Sequence, residues 1–323
     1  SGLKHEIKTL GEVTRRSGRP STFGLVYNAV RPDMSDVALA EVAAENRKGA
    51  ELRPQTTCRP IGVVLGIQHR TPWARAGETW KSMQDMNLGE RLALIRDSNT
   101  RRMLIEEANN PEKIHGGGSA MVDLSRLYLL DAENPDYRVG PEGTLEAKAA
   151  QAGVTPVEYF LAETDRSDGS VMLSLPILNQ DYEAIETMMA DEAIVMGLAD
   201  AGAHVGQIMD SSQPTYFLSH WVRDTGFFTL EEGVRRITSD TADLFGLVDR
   251  GRIVEGAYAD VNVIDFERLS LIGPEYVHDF PGGAGRYIQR GTGYDATIVN
   301  GKVFMEDGEH TGELAGVTLR STD

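Results

Sequence analysis

Residues 193–204 read Ala193-Ile194-Val195-Met196-Gly197-Leu198-Ala199-Asp200-Ala201-Gly202-Ala203-His204. An apolar run of strand length passes straight into an acid, small residues and a histidine. The run Ala193 to Leu198 reads as a buried strand of the kind found in parallel sheets. In a parallel barrel, a polar residue at a strand's C-terminal end points into the mouth where chemistry is done. Asp200 is therefore the first catalytic candidate, as a metal ligand or as general base towards a metal-bound water. Gly202 lets the backbone pass close to a ligand. The competing reading is an Asp that caps the next turn, with His204 satisfied inside its loop. Spacing alone leaves both open.

Upstream of this run, helix and strand signals alternate. Residues 3–16 are helix-like and stop at Ser17-Gly18-Arg19-Pro20. Ser21 to Tyr27 reads as a short buried strand. A helix capped by Asp33 or Ser35 runs to about Lys48 and ends at Gly49. Leu52 to Cys58, or Ile61 to Ile67 just beyond, is the next strand. This order is the grammar of βα units, so a parallel sheet or barrel leads. Residues 68–180 break the rhythm. Leu88, Leu92 and Ile95 share one helical face, a second helix runs through Met103 to Ala108, and Gly116-Gly117-Gly118 is a flexible joint. Thr144 to Ala150 and Pro156 to Thr164 are two further helices. The segment is expected to be an inserted helical subdomain, acting as a lid or an oligomer contact.

Downstream, Ile185, Met188 and Met189 mark a helix face before the 193–198 strand. Thr229-Leu230-Glu231-Glu232 has the form of a capping box, with Leu230, Val234 and Ile237 as its core stripe. Ser239-Asp240 caps a short helix ending at Gly246. From Gly256 the text becomes β, with Ala259 to Ile264 and then Ala296 to Phe304, where Asn300-Gly301 is a strong hairpin signal. The expected division is 1–250 for the barrel part and 251–323 for a small β-sandwich element.

The chain has 323 residues, with 32 Lys and Arg against 49 Asp and Glu, a net charge of −17. That field repels phosphate backbones and anionic membranes, so neither nucleic acid nor a membrane surface is an expected partner. No apolar run approaches the roughly 20 residues of a membrane helix. The single cysteine, Cys58, excludes a disulfide framework and fits a reducing compartment, the cytoplasm. The chain starts Ser1-Gly2-Leu3 and reads at once as helix, as expected of a piece of a longer chain. Strands 21–27 and 193–198 would then leave open edges, with self-association as the consequence.

A second group of chemically able residues is Thr215-Tyr216 with His220-Trp221-Val222-Arg223-Asp224. On a helix Tyr216 and His220 share a face and Arg223 lies one turn from His220, which suits a substrate carboxylate or carbonyl. The plainer reading is a helix with a Trp anchor and an Arg–Asp pair. His69 also follows an apolar run. His-x-His, His-Glu-x-x-His, Cys-x-x-Cys, a Gly-x-Ser-x-Gly elbow and a Walker loop are all absent from the sequence.

Taken together, Met196 through His204, Pro214-Thr215-Tyr216 through Asp224, and the tail resemble the C-terminal half of the amidohydrolase superfamily, in its D-aminoacylase (N-acyl-D-amino-acid deacylase) branch. In the tail the resemblance rests on Gly256-Ala257-Tyr258-Ala259-Asp260 followed by Val299-Asn300-Gly301. The first stretch looks like that family's eighth-strand Ser-Asp-Gly-Gly-Ala-His run, with Ala199 for Ser and Ala201 for Gly. The resemblance implies an α/β fold, the C-terminal part of a TIM-like (β/α)8 barrel with a β-sandwich tail. It implies a zinc-dependent hydrolase of linear amides, deacylating N-acyl-D-amino acids. Asp200 would hold metal and move the proton from water to the leaving amine. His204, Tyr216, His220 and Arg223 would bind substrate. The family's first-strand His-x-His pair is not in this sequence, and the 21–27 strand carries no His, so most zinc ligands are expected upstream of Ser1. A cyclic amidase or deaminase of the same superfamily, and a binding scaffold without a metal centre, remain alternatives.

Overall fold

The computed structural model describes residues 2–110, 123–131, 135–138, 140–197, 200–208 and 211–319. Its organising feature is a narrow parallel ribbon. Ser21 bridges Leu52 and Gly24 bridges Gln55, both in parallel. The strand Gln55–Thr56 pairs in parallel with Val195–Met196. Three extended segments, near 21–24, 52–56 and 195–196, thus lie side by side. The helix Met34–Asn46 connects the first two. The segment expected as a strand over 21–27 pairs only through those two isolated bridges.

Alternation along the middle segment explains how the ribbon is covered. Leu52, Pro54 and Thr56 are buried, whereas Arg53 and Gln55 are partly exposed. Leu52 packs with Ile7 of the helix Gly2–Ser17, Ala38 and Val42 of the helix Met34–Asn46, and Met188 of the helix Tyr182–Ala190. Each large side chain buried there contributes about 1.5–3 kcal/mol. The opposite face is polar. Gln55 Nε2 donates to Thr22 Oγ1 at 2.7 Å. A Cβ on Gly197 would stand 2.7 Å from Gln55 Oε1, so glycine is what lets the third segment approach. Glu45 is buried behind the helices, and hydrogen bonds from Lys48 and then Arg15 hold its carboxyl below the usual range.

The segment 68–180, expected to be helical, also contributes two strands to a three-stranded sheet. The strand Ile61–Gly66 runs antiparallel to Met172–Leu178, which pairs on its other edge with Tyr128–Leu130. Pairing partners more than 100 residues apart leave no local periodicity to read, so helix signals dominate the sequence there. The helices Glu78–Ser82, Leu88–Arg96, Ser98–Ala108, Leu145–Ala152 and Pro156–Arg166 accompany this sheet. Their core joins Trp73, Trp80, Ile95, Leu104 and Phe160 to Leu65 and Leu173 of the sheet. Side-chain caps set their starts: Asn87 with Glu90 and Thr155 with Glu158 form capping boxes, and Asp97 and Thr144 cap their helices. The Gly116-Gly117-Gly118 joint lies outside the described residues.

Beyond the ribbon, the helix Leu230–Ile237 departs from the expected stripe. Thr229 Oγ1 accepts from Glu232 N at 3.2 Å, but the Glu232 carboxylate turns to Arg236 rather than back to the cap. Leu230 and Val234 are 47% and 42% exposed, and the inward face carries Gly233 and Arg236. The reason is close approach: a Cβ on Gly233 would stand 2.4 Å from Val222 Cγ2. The Arg236 guanidinium lies 4.6 Å from the centre of the Phe228 ring. The C-terminal sheet is antiparallel, combining Val261–Ile264, Tyr294–Val299, Lys302–Glu306 and Glu309–His310. Asn300 and Gly301 take φ of 51° and 77°, the left-handed pair that a two-residue hairpin turn requires. Residues beyond 250 share cores with what precedes them: Leu269 and Leu271 pack with Phe217 and Trp221, and Tyr287 packs with Val64 and Met172. Among the described residues, no helix is long and apolar enough to cross a membrane.

Candidate active site

The turn that follows the strand Val195–Met196 is conformationally unusual. Leu198 and Ala199 lie outside the described residues. Asp200 and His204 adopt φ of 53° and 50°, and Gly202 adopts 89°. Left-handed backbone at non-glycine residues costs on the order of 1 kcal/mol or more each and persists where surrounding structure enforces it. The enforcement is visible. Asp200 O accepts from Ala203 N, and His204 O accepts from Gln207 N and Ile208 N. Val64 N donates to Gln207 O at 2.7 Å, and Tyr287 N to Val205 O at 2.9 Å. The turn is thus clamped between the Ile61–Gly66 strand and the C-terminal segment. Asp200 itself is exposed and makes no side-chain hydrogen bond or ion pair among the described residues. A carboxylate held in this way is free to meet an incoming ligand.

His204, also exposed, lines a cleft of about 700 Å³ with His69, Arg70, Arg75, Arg91 and Gly206 among its walls. The His69 ring stacks on Tyr276 with centroids 5.1 Å apart, and its Nδ1 lies 3.1 Å from the Tyr276 hydroxyl. Burial, then the charges of Arg91 and Arg70, lower the His69 pKa, which favours the neutral ring. His69 was legible as a residue beyond an apolar run. Its partner Tyr276 is more than 200 residues away and was not.

The second group lies in the short helix Gln213–Tyr216 and the π-helix Phe217–Asp224 that continues it. The shared face of Tyr216 and His220 is real: their rings stack 4.9 Å apart at 23°. It faces protein rather than a cleft. Tyr216 is buried and its hydroxyl lies 2.9 Å from that of Tyr182, whose ring stacks on Trp221. Burial pushes both phenols up and lowers the His220 pKa. Trp221 Nε1 donates to Cys58 O at 2.6 Å, and the Cys58 thiol donates to Gln213 Oε1 at 3.0 Å. Arg223 does not join His220. Its guanidinium donates to the carbonyls of Phe266 and Leu269 and pairs with Asp224, which makes it a tether to the C-terminal segment. Its Nε donates to the Asp224 carboxylate and its Nη1 to backbone carbonyls, so the side chain is anchored to the C-terminal segment.

Zinc needs three or four protein donors at bonding distance. Among the described residues, no group of three or more His, Cys, Asp or Glu could hold a metal ion. Asp200 is a single donor, so the described residues do not make a zinc site.

Comparison with known proteins adds the following. A family model described as "Amidohydrolase family" matches residues 144–305. A D-aminoacylase of Alcaligenes xylosoxydans xylosoxydans is 32% identical over 105 residues, covering 32% of this chain and 20% of that protein. An N-acyl-D-glutamate deacylase of the same organism is 47% identical over 55 residues, covering 17% of this chain and 11% of that protein. A solved D-aminoacylase shares the fold, with a TM-score of 0.52 at 17% identity over 98% of this chain and 52% of the other. The chain therefore spans about half the length of that structure and less of the curated relatives.

Proposed function

The chain belongs to the amidohydrolase family, and from that premise we propose that it is part of a hydrolase of carbon–nitrogen bonds that deacylates N-acyl-D-amino acids. The parallel ribbon near 21–24, 52–56 and 195–196 would be the C-terminal part of a (β/α)8 barrel, with the region from Ile61 to Leu178 inserted between two of its strands. The likeness to D-aminoacylase supports this reading. The observation that carries it is Asp200, an exposed carboxylate with no side-chain partner among the described residues, on a clamped left-handed turn just beyond a parallel strand.

In the proposed reaction a water molecule attacks the amide carbonyl while Asp200 takes its proton. The C–O bond forms, the C–N bond breaks, and Asp200 returns the proton to the departing amine nitrogen. The products are a carboxylic acid and a D-amino acid. Positioned acid–base catalysis of this kind is worth about 10²–10⁴ in rate. Bound zinc supplies Lewis-acid polarisation of the carbonyl in such chemistry, and among the described residues Asp200 is the one donor placed for it. His204 belongs on the substrate side, beside the cleft. Tyr216 and His220 are part of the scaffold behind it.

The test is amine release from N-acetyl-D-amino acids and their L-enantiomers by the zinc-supplemented full-length protein and its D200N variant. Hydrolysis of the D-series that collapses in D200N is expected. No hydrolysis of any N-acyl amino acid, or undiminished turnover in D200N, would overturn the reading.

A further inference from the structure

His69 is held on three sides and open on the fourth. Its N–H donates to Gly66 O at 3.2 Å. Its carbonyl accepts from Arg91 Nη1 at 2.9 Å, and the same nitrogen donates to Ile67 O at 2.6 Å, so a buried guanidinium fixes the backbone here. The ring lies 17° from parallel to Tyr276, with Nδ1 3.1 Å from the Tyr276 hydroxyl. The remaining polar atom is Nε2, which has no hydrogen-bond partner among the described residues. It meets the cleft wall at Gly206, where a Cβ would stand 2.9 Å from it. Glycine at that position leaves the nitrogen uncovered.

One hairpin holds both His69 and the Asp200–His204 turn. Glu275–Val277 pairs with Arg286–Ile288, and Tyr276 stands opposite Tyr287. Tyr287 is buried with Val64 and Met172, and it donates its N–H to Val205 O at 2.9 Å. Tyr276, on the facing strand, carries the His69 ring. A single cross-strand pair thus sets the imidazole relative to the turn. The same hydroxyl sets the tautomer. Burial raises the Tyr276 pKa, so the phenol keeps its proton and donates it to Nδ1. Burial, then the charges of Arg91 and Arg70, keep the His69 ring neutral. A neutral imidazole that accepts at Nδ1 carries its own proton on Nε2.

We propose that His69 is a further catalytic residue, donating from Nε2 to the scissile carbonyl oxygen as it becomes the tetrahedral oxyanion, with Tyr276 as its positioning residue. The inference rests on the deacylase reading for the carbonyl. Charge develops on that oxygen only as the water attacks, so a donor fixed in advance favours the transition state over the bound substrate.

The experiment has two readouts on the zinc-supplemented full-length protein. The first is amine release from N-acetyl-D-amino acids. H69A should lower kcat by about 10²-fold, the loss of one such donor, with KM little changed. H69Q should restore part of that loss, because its amide keeps an N–H near the place of Nε2. The second is nitrogen NMR of 15N-histidine-labelled protein without substrate, the His69 signals being those that vanish in H69Q. They should report the Nε2–H tautomer, and Y276F should mix the two tautomers and lower kcat. Unchanged kcat in H69A, a rise in KM alone, or an Nδ1–H or doubly protonated ring in the native protein would each overturn the proposal. An Nε2–H ring in a protein that hydrolyses no N-acyl amino acid would sink the deacylase reading and leave the poised donor standing. Hydrolysis with an Nδ1–H ring would do the reverse.

Discussion

Two segments that lie within 25 residues of each other solve opposite problems. The turn from Asp200 to His204 is exposed, holds two non-glycine residues at positive φ, and leaves Asp200 without a side-chain partner among the described residues. The segment from Gln213 to Asp224 is buried and cross-braced, with Trp221 bonded to Cys58, Tyr216 to Tyr182, and Arg223 to the Phe266–Leu269 strand end. Both contain the acids, histidines and aromatics from which active sites are made. What separates them is where their polar atoms are spent. The second segment uses most of them on protein, with Gln213 Nε2 and His220 Nε2 buried and unpartnered among the described residues. The first holds Asp200 and His204 in place through backbone and leaves their side chains for a ligand.

That contrast is open to attack, and the largest effect is expected at Trp221. Trp221→Ala removes a ring that is 3% exposed and frees the Cys58 carbonyl. It should cost about 3–5 kcal/mol in urea unfolding. A cost below about 1 kcal/mol would show that the aromatic cluster is not a scaffold. Next, D200N should lower kcat/KM by about 10²–10⁴ while moving stability by no more than about 0.5 kcal/mol. A large stability loss there would place Asp200 with the scaffold and remove the distinction.

A smaller effect is expected from pH. Burial lowers the folded-state pKa of His220, while the unfolded imidazole titrates near ~6.5. Between the two values the unfolded chain binds more protons, so stability present above ~6.5 is lost as pH falls through that window. The urea midpoint should drop as pH falls below ~6.5, and H220Q should flatten the curve. His69 is lowered in the same direction and adds to the slope. The smallest effect is at the strained turn. His204→Gly relieves a φ of 50° and should raise stability by about 0.5–1 kcal/mol while weakening substrate binding. Destabilisation instead would mean that the His204 side chain is a structural contact.

Much of the local structure was legible. The cap at Thr229 was read from its own few letters and is made, whereas the helices Met34–Asn46 and Ser239–Leu244 start without the side-chain cap expected of them. The Asn300-Gly301 turn is similar. The Tyr216–His220 face followed from helical spacing alone, although spacing gave no sign that the face is buried. The strand pairing of Ile61–Gly66 with Met172–Leu178, and the outward rotation of Leu230 and Val234, were hidden. Both depend on a distant partner: the first on register across more than 100 residues, the second on Val222 requiring a glycine opposite it.

The sequence by itself determined the alternation of elements, the caps and turns, the amidohydrolase resemblance, and Asp200 as the residue beyond an apolar strand. Each rests on interactions a few residues in range. Only the tertiary structure decided that Arg223 reaches the backbone of the C-terminal segment and that Ile61–Gly66 pairs with Met172–Leu178 in a sheet. It alone gathered His69, Arg70, Arg91 and His204 around one cleft. These depend on which surfaces meet, and burial and charge compensation are properties of that meeting rather than of any single stretch of chain.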